Sequence, residues 1–199
     1  MNNWLFRNTA KHNGRNVVIT PDNSAFEFLS VARIVLDKDV TTASGQNPDA
    51  ETTLLCLHGK GSVTVEGKTY EMSRFDGLYV TRGAEFSLST DGSFDVVESS
   101  CPTQKIHPTQ YVNYVNEVKD SDSLTLHVGA EPYYRDIHKV IAENVDGSRI
   151  LMGVTMSKPG NWTSWPPHEH AATREELYLF FDMPKPGFGT QYIYSNLQG

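Results

Sequence analysis

The stretch WPPHEHAATREELYLFF, residues 165–181, sets His168 and His170 one residue apart behind a Pro166-Pro167 corner. Glu175 and Glu176 follow, and then an apolar run. On a strand, residues spaced i, i+2 point to one face, so both imidazoles would enter the same barrel interior. The loop after His170 is long enough to turn the chain into an antiparallel strand, with Glu176, Tyr178 and Phe180 on one face and Leu177, Leu179 and Phe181 on the other. Two neutral nitrogens and one carboxylate oxygen form a borderline ligand set for a divalent metal, zinc first, with Mn, Fe, Ni and Co also compatible. Glu175 competes with Glu176 for the third place. A solvated turn is the alternative, and the proline corner argues against it because proline restricts both itself and its predecessor.

Such a site needs strands to hold it, and the sequence supplies them. Gly, Pro, Asn or Asp recurs between short segments that alternate polar with apolar residues, among them FEFLSVARIVL (26–36), TLLCLHG (53–59), SVTVEG (62–67), DGLYVTRG (76–83) and FDVVES (94–99). Few windows have a helical period, which predicts an all-β sandwich or barrel. HGKGSVTVEGKTYEM reads as a meander with tight turns. Residues 102–123 turn polar and irregular, and the strand pattern restarts with RDIHKVIAENV and ILMGVTMS. A boundary is therefore expected near residue 120, with one β-barrel unit in 1–120 and a second begun in 121–199.

Composition narrows the function classes. The 199 residues can bury a sizeable core, and 17 basic against 24 acidic residues give a net charge of −7. The absence of a long basic block argues against a nucleic-acid backbone or an anionic membrane surface as the main partner. Neither a secretory leader nor an apolar run of roughly 18 residues is present, so a cytoplasmic location is expected. Cys56 and Cys101 are far apart and outside any CxxC, and both are expected to be reduced and structural.

SVTVEGKTYEMSRFDGLYVTRGAEFSL (62–88) resembles the interior of a cupin barrel, and GNWTSWPPHEH (160–170) followed by REELYLFFDMP (174–184) resembles the metal-binding half of a two-cupin sugar-acid isomerase. The family resembled is that of 5-deoxy-glucuronate isomerase, related to 5-keto-4-deoxyuronate isomerase. The resemblance implies a two-cupin, double-stranded β-helix (jelly-roll) architecture, with a degenerate scaffold barrel in 1–120 and the first part of a metal-binding barrel in 121–199. It assigns His168, His170 and Glu176 as ligands, because the family's carboxylate directly precedes the apolar-aromatic run. The family's fourth ligand is a histidine on a later strand. None of His12, His58, His107, His127 and His138 matches its position, so the second barrel is expected to be incomplete in this sequence. In the first barrel His58 reads as a turn residue and Glu85 stands where a histidine is more usual; His138 reads as strand-packed.

The implied reaction is an aldose–ketose isomerisation of a deoxy-uronate, 5-deoxy-glucuronate to 5-dehydro-2-deoxygluconate of inositol catabolism. It needs a Lewis acid on two adjacent oxygens and a group that shuttles a proton. Glu175 and Tyr178 are the candidates for the proton, Arg174 and Lys185 for the substrate carboxylate. A homo-oligomer is expected from the family and from open sheet edges. The rival readings are a cupin dioxygenase with iron and a metal-free sugar-binding or regulatory cupin.

Overall fold

The computed structural model describes residues 3–170 and 173–194. Thirteen strands are found among them: β1 Gly14–Ile19, β2 Ser30–Leu36, β3 Thr42–Gln46, β4 Ala50–Gly59, β5 Gly61–Val65, β6 Lys68–Met72, β7 Gly77–Val80, β8 Glu85–Ser89, β9 Phe94–Pro102, β10 Gln110–Val112, β11 Thr125–Val128, β12 Arg135–Ile141 and β13 Met152–Ser157. One π-helical turn, Tyr114–Val118, joins β10 to β11. The chain divides into two compact units, Met1–His168 and Glu169–Gly199, so the first runs past residue 120 and takes in β11, β12 and β13. No helix among the described residues is long and apolar enough to cross a membrane.

Three antiparallel sheets make up the first unit, in the orders β1-β2-β9-β4-β7-β10, β3-β8-β5-β6 and β11-β12-β13. Alternation explains how the first two meet. Ile34 and Leu36 of β2, Leu54 and Cys56 of β4, Leu78 and Val80 of β7, and Phe94 and Val96 of β9 turn toward Val63, Val65, Met72, Phe86 and Leu88 of the four-stranded sheet. Each of these large side chains contributes roughly 1.5–3 kcal/mol by leaving water. In the β5–β6 hairpin Glu66 and Gly67 both have positive φ, 49° and 79°. That is the two-residue turn whose twist suits a hairpin, and glycine at its second place carries no steric penalty.

β4 is buried along both faces, which is why TTLLCL does not alternate in polarity. On that second face Gly77 of β7, paired to Leu55 of β4, lies against β12: a Cβ at Gly77 would come within 2.6 Å of Val140 Cγ1. Close approach, rather than backbone conformation, requires glycine there.

Buried carboxylates tie the irregular segments to this frame. Asp76, 1 % exposed, accepts hydrogen bonds from the Tyr114 amide at 2.8 Å, from the Ser73 amide and hydroxyl at 2.8 and 2.9 Å, and from the Tyr111 hydroxyl at 2.9 Å. These bonds fix the start of the π-helical turn. Burial, before any contact, holds the Tyr111 hydroxyl protonated, its pKa pushed up to about 12. Glu98, on the core side of β9 opposite Leu54, takes both Arg15 Nε and Nη2 at 2.7 Å, with Asn47 Nδ2 at 2.8 Å. The side-chain hydrogen bond to Glu98 raises the Arg15 pKa further.

Candidate functional site

Beyond Ser157 the described residues form no strand ladder, so His168 and His170 are held by local turns. His168 closes the first unit, and its Nδ1 lies 2.8 Å from the Pro166 carbonyl oxygen. A carbonyl only accepts, so Nδ1 carries a proton there.

His170, Arg174, Glu175, Glu176, Tyr178 and Lys185 belong to the second unit. The His170 carbonyl accepts from the Thr173 amide at 2.7 Å and the Arg174 amide at 2.8 Å, a turn that brings the chain back on itself. It leaves His170 Nε2 3.8 Å from Glu176 Oε2. The Tyr178 hydroxyl donates to the other oxygen, Oε1, at 2.9 Å. Glu176 thus stands between an imidazole and a phenol.

The period-two reading holds along this segment without a ladder. Glu176, Tyr178 and Phe180 are exposed, whereas Glu175, Leu177, Leu179 and Phe181 are half-buried. Glu175 therefore points away from the Glu176–Tyr178 side. Arg174 and Lys185 are exposed and form no ion pair among the described residues; Lys185 sits in a turn closed by the Gly187 amide on the Pro184 carbonyl, 2.6 Å. Among the described residues no group of three or more His, Cys, Asp or Glu side chains is gathered closely enough to hold a metal. Of the three residues read as ligands, the second unit brings His170 and Glu176 together, and His168 lies in the first.

The first unit holds polar groups that spacing did not reveal. Glu51, fully buried, accepts from the Tyr79 hydroxyl at 2.7 Å and from the amides of Ser148, Arg149 and Ile150 at 2.9, 2.6 and 3.0 Å. Burial and this bond push the Tyr79 hydroxyl well above its usual range. The only signal in the sequence is a glutamate inside a strand too apolar to face water. His138 is 6 % exposed and strand-packed, with Nδ1 2.9 Å from Thr125 Oγ1. Cys56 and Cys101 are free thiols and buried, and desolvation raises the Cys56 pKa to about 12.

Comparison with known proteins extends beyond this geometry. Residues 4–199 match the sequence profile of the KduI/IolB family. The 4-deoxy-L-threo-5-hexosulose-uronate ketol-isomerase of Caldicellulosiruptor bescii is 32% identical over 146 residues, 69% of this chain and 50% of that protein. The 5-deoxy-glucuronate isomerase of Halalkalibacterium halodurans is 24% identical over 196 residues, 89% of this chain and 70% of that protein. The chain spans about half the length of several of the curated relatives it matches. An IolB-like protein from Salmonella typhimurium LT2 has the same fold, with a TM-score of 0.66 at 18% identity over 78% of this chain and 60% of that one. The architecture is all-β, as the strand pattern predicted. Because the profile matches nearly the whole sequence, including the His170–Glu176–Tyr178 cluster, the chain belongs to the KduI/IolB family.

Proposed function

We propose that this chain carries the metal-binding segment of a uronate aldose–ketose isomerase, with His168, His170 and Glu176 as ligands of a divalent cation, zinc first. The observation that carries the reading is the Glu176 carboxylate set between His170 and Tyr178, in a segment inside the family match. The donor types fit the group. A ligating histidine commonly gives its other N–H to a backbone carbonyl, and His168 does so to Pro166. When bound, the cation would act as a Lewis acid on the substrate's carbonyl and adjacent hydroxyl oxygens.

The remaining work falls to the chain's own side chains. Isomerisation removes a proton from the carbon that bears the hydroxyl and returns one to the former carbonyl carbon. Tyr178 is the better placed proton carrier, since its hydroxyl is fixed on the Glu176 side while Glu175 is turned to the opposite one. Arg174 and Lys185, exposed and without an ion-pair partner among the described residues, would hold the substrate carboxylate. Identities of 32% and 24% to relatives named for the two uronates support 4-deoxy-L-threo-5-hexosulose uronate as the first substrate to assay, ahead of 5-deoxy-glucuronate. The open edges β6 and β10 support a homo-oligomer.

Elemental analysis of the purified chain, beside His170→Ala and Glu176→Gln, tests the ligand set. Near-stoichiometric zinc that falls at least about tenfold in either variant is expected, since each removes a ligand. Retention of no divalent metal by the unaltered chain would leave a metal-free sugar-acid-binding role. Turnover of the two uronates, followed separately, tests the reaction and the substrate.

A further inference from the structure

The first unit has a second chemically distinctive place, built from residues other than the proposed ligands. A cleft of about 500 Å³ is lined by Pro102, Thr103, Gln104, Lys105, Ser148 and Arg149. In a chain of net charge −7, its lining has two cations and no carboxylate. Neither Lys105 nor Arg149 takes part in an ion pair among the described residues.

The cleft is held in shape from beneath. Glu51, buried under the loop, binds the backbone amides of residues 148, 149 and 150, so the segment that presents Ser148 and Arg149 is anchored to β4 by a carboxylate. Arg149 is steadied further: its guanidinium carbon lies 4.4 Å from the Phe28 ring centroid, and Nη1 donates to the Pro102 carbonyl at 3.0 Å. Its other N–H groups have no hydrogen-bond partner among the described residues. The Ser148 hydroxyl oxygen is buried and also without a partner, though buried polar atoms are rarely left so. Two unpaired cations, a preset guanidinium and an unsatisfied hydroxyl together match a ligand rich in acceptors.

We propose that this cleft binds a small oxyanion, a carboxylate or a phosphate, with Arg149 and Lys105 supplying the charge and Ser148 a hydrogen bond. The site lies wholly within Met1–His168 and does not depend on the metal ligands.

Isothermal titration of the full chain tests it with inorganic phosphate, with galacturonate, and with galactose as the neutral control. Saturable binding of at least one anion, no binding of galactose, and weakening by added salt are expected. Arg149→Gln and Lys105→Gln should each weaken the anion by about tenfold, the worth of one charge-assisted contact. Lys119→Gln, which removes the same charge elsewhere on the surface, should not. Saturation by phosphate alone or by galacturonate alone, weakened in Arg149→Gln, supports the site and identifies its source; saturation that Arg149→Gln leaves unchanged overturns it. If neither anion saturates, or if Lys119→Gln weakens binding as much as Arg149→Gln, the proposal falls. Thermal unfolding of each variant, with Ser148→Ala as the smallest change, separates lost binding from lost folding.

Discussion

Glu51 shows what a single residue settles in this protein. A carboxylate taken fully out of water is tolerated only when its oxygens are satisfied, and four donors converge on this one. Its removal strands the Tyr79 hydroxyl and three backbone amides in the interior. Glu51→Ala is expected to cost about 3 kcal/mol or more, since four buried donors lose their acceptor and each unsatisfied one costs about 1–3 kcal/mol before the loop relaxes. Urea unfolding reads this as a drop in midpoint with little change in slope, and a loss below about 1 kcal/mol would show that the loop finds other partners. The residues read from spacing fare differently. The side-sharing of Glu176 and Tyr178 was legible because alternation is local, and the structure keeps it. The role of Glu51 was not, because three of its four partners lie about a hundred residues away.

At the scale of elements, the junction of the π-helical turn with β11 and β12 is built around His138. Thr125 Oγ1 donates its only proton to the Val118 carbonyl at 2.7 Å, so it can only accept from His138 Nδ1, which fixes the neutral Nδ1–H tautomer. The Tyr114 ring packs edge-on at 5.4 Å. Desolvation is the main cause that lowers the His138 pKa below its ordinary 6.5, with Asp136 opposing it. The unfolded chain then binds a proton at a higher pH than the folded one. Stability from this group is complete above the unfolded value and is lost as pH falls below it. Melting temperature is therefore expected to fall between pH 7 and pH 5, and His138→Gln should flatten part of that slope. A slope unchanged in the variant would place the dependence elsewhere. The strands themselves were well marked: β5, β7, β12 and β13 fall within segments chosen by alternation and turn residues, and β4 and β9 overlap theirs but extend three residues beyond, at the start of β4 and the end of β9. The pattern missed β1, β3 and β11. It also missed β10 and the π-helical turn inside 102–123, where Asp76 and its partners hold a polar segment that has little propensity of its own.

For the whole molecule, the core between the six- and four-stranded sheets lies entirely within residues 34–111. A chain ending at His168 is accordingly expected to keep a single cooperative unfolding transition while losing any metal held as proposed through His170 and Glu176. Near-ultraviolet circular dichroism and calorimetry check the first, elemental analysis the second. A non-cooperative melt would show that residues 169–199 are needed for the fold. The sequence by itself determined the all-β class, most strand positions, the side-sharing of Glu176 and Tyr178, and the family, since each rests on local period or on a run of matched residues. Only the tertiary structure decided that β11, β12 and β13 join the first unit, that Glu51 and Glu98 are buried among donors, and that Lys105 meets Ser148 and Arg149 in one cleft. Those outcomes depend on which distant segments pack together, and hydrophobic burial, which drives that packing, is non-directional: the local period marks which face is buried, not which segment covers it.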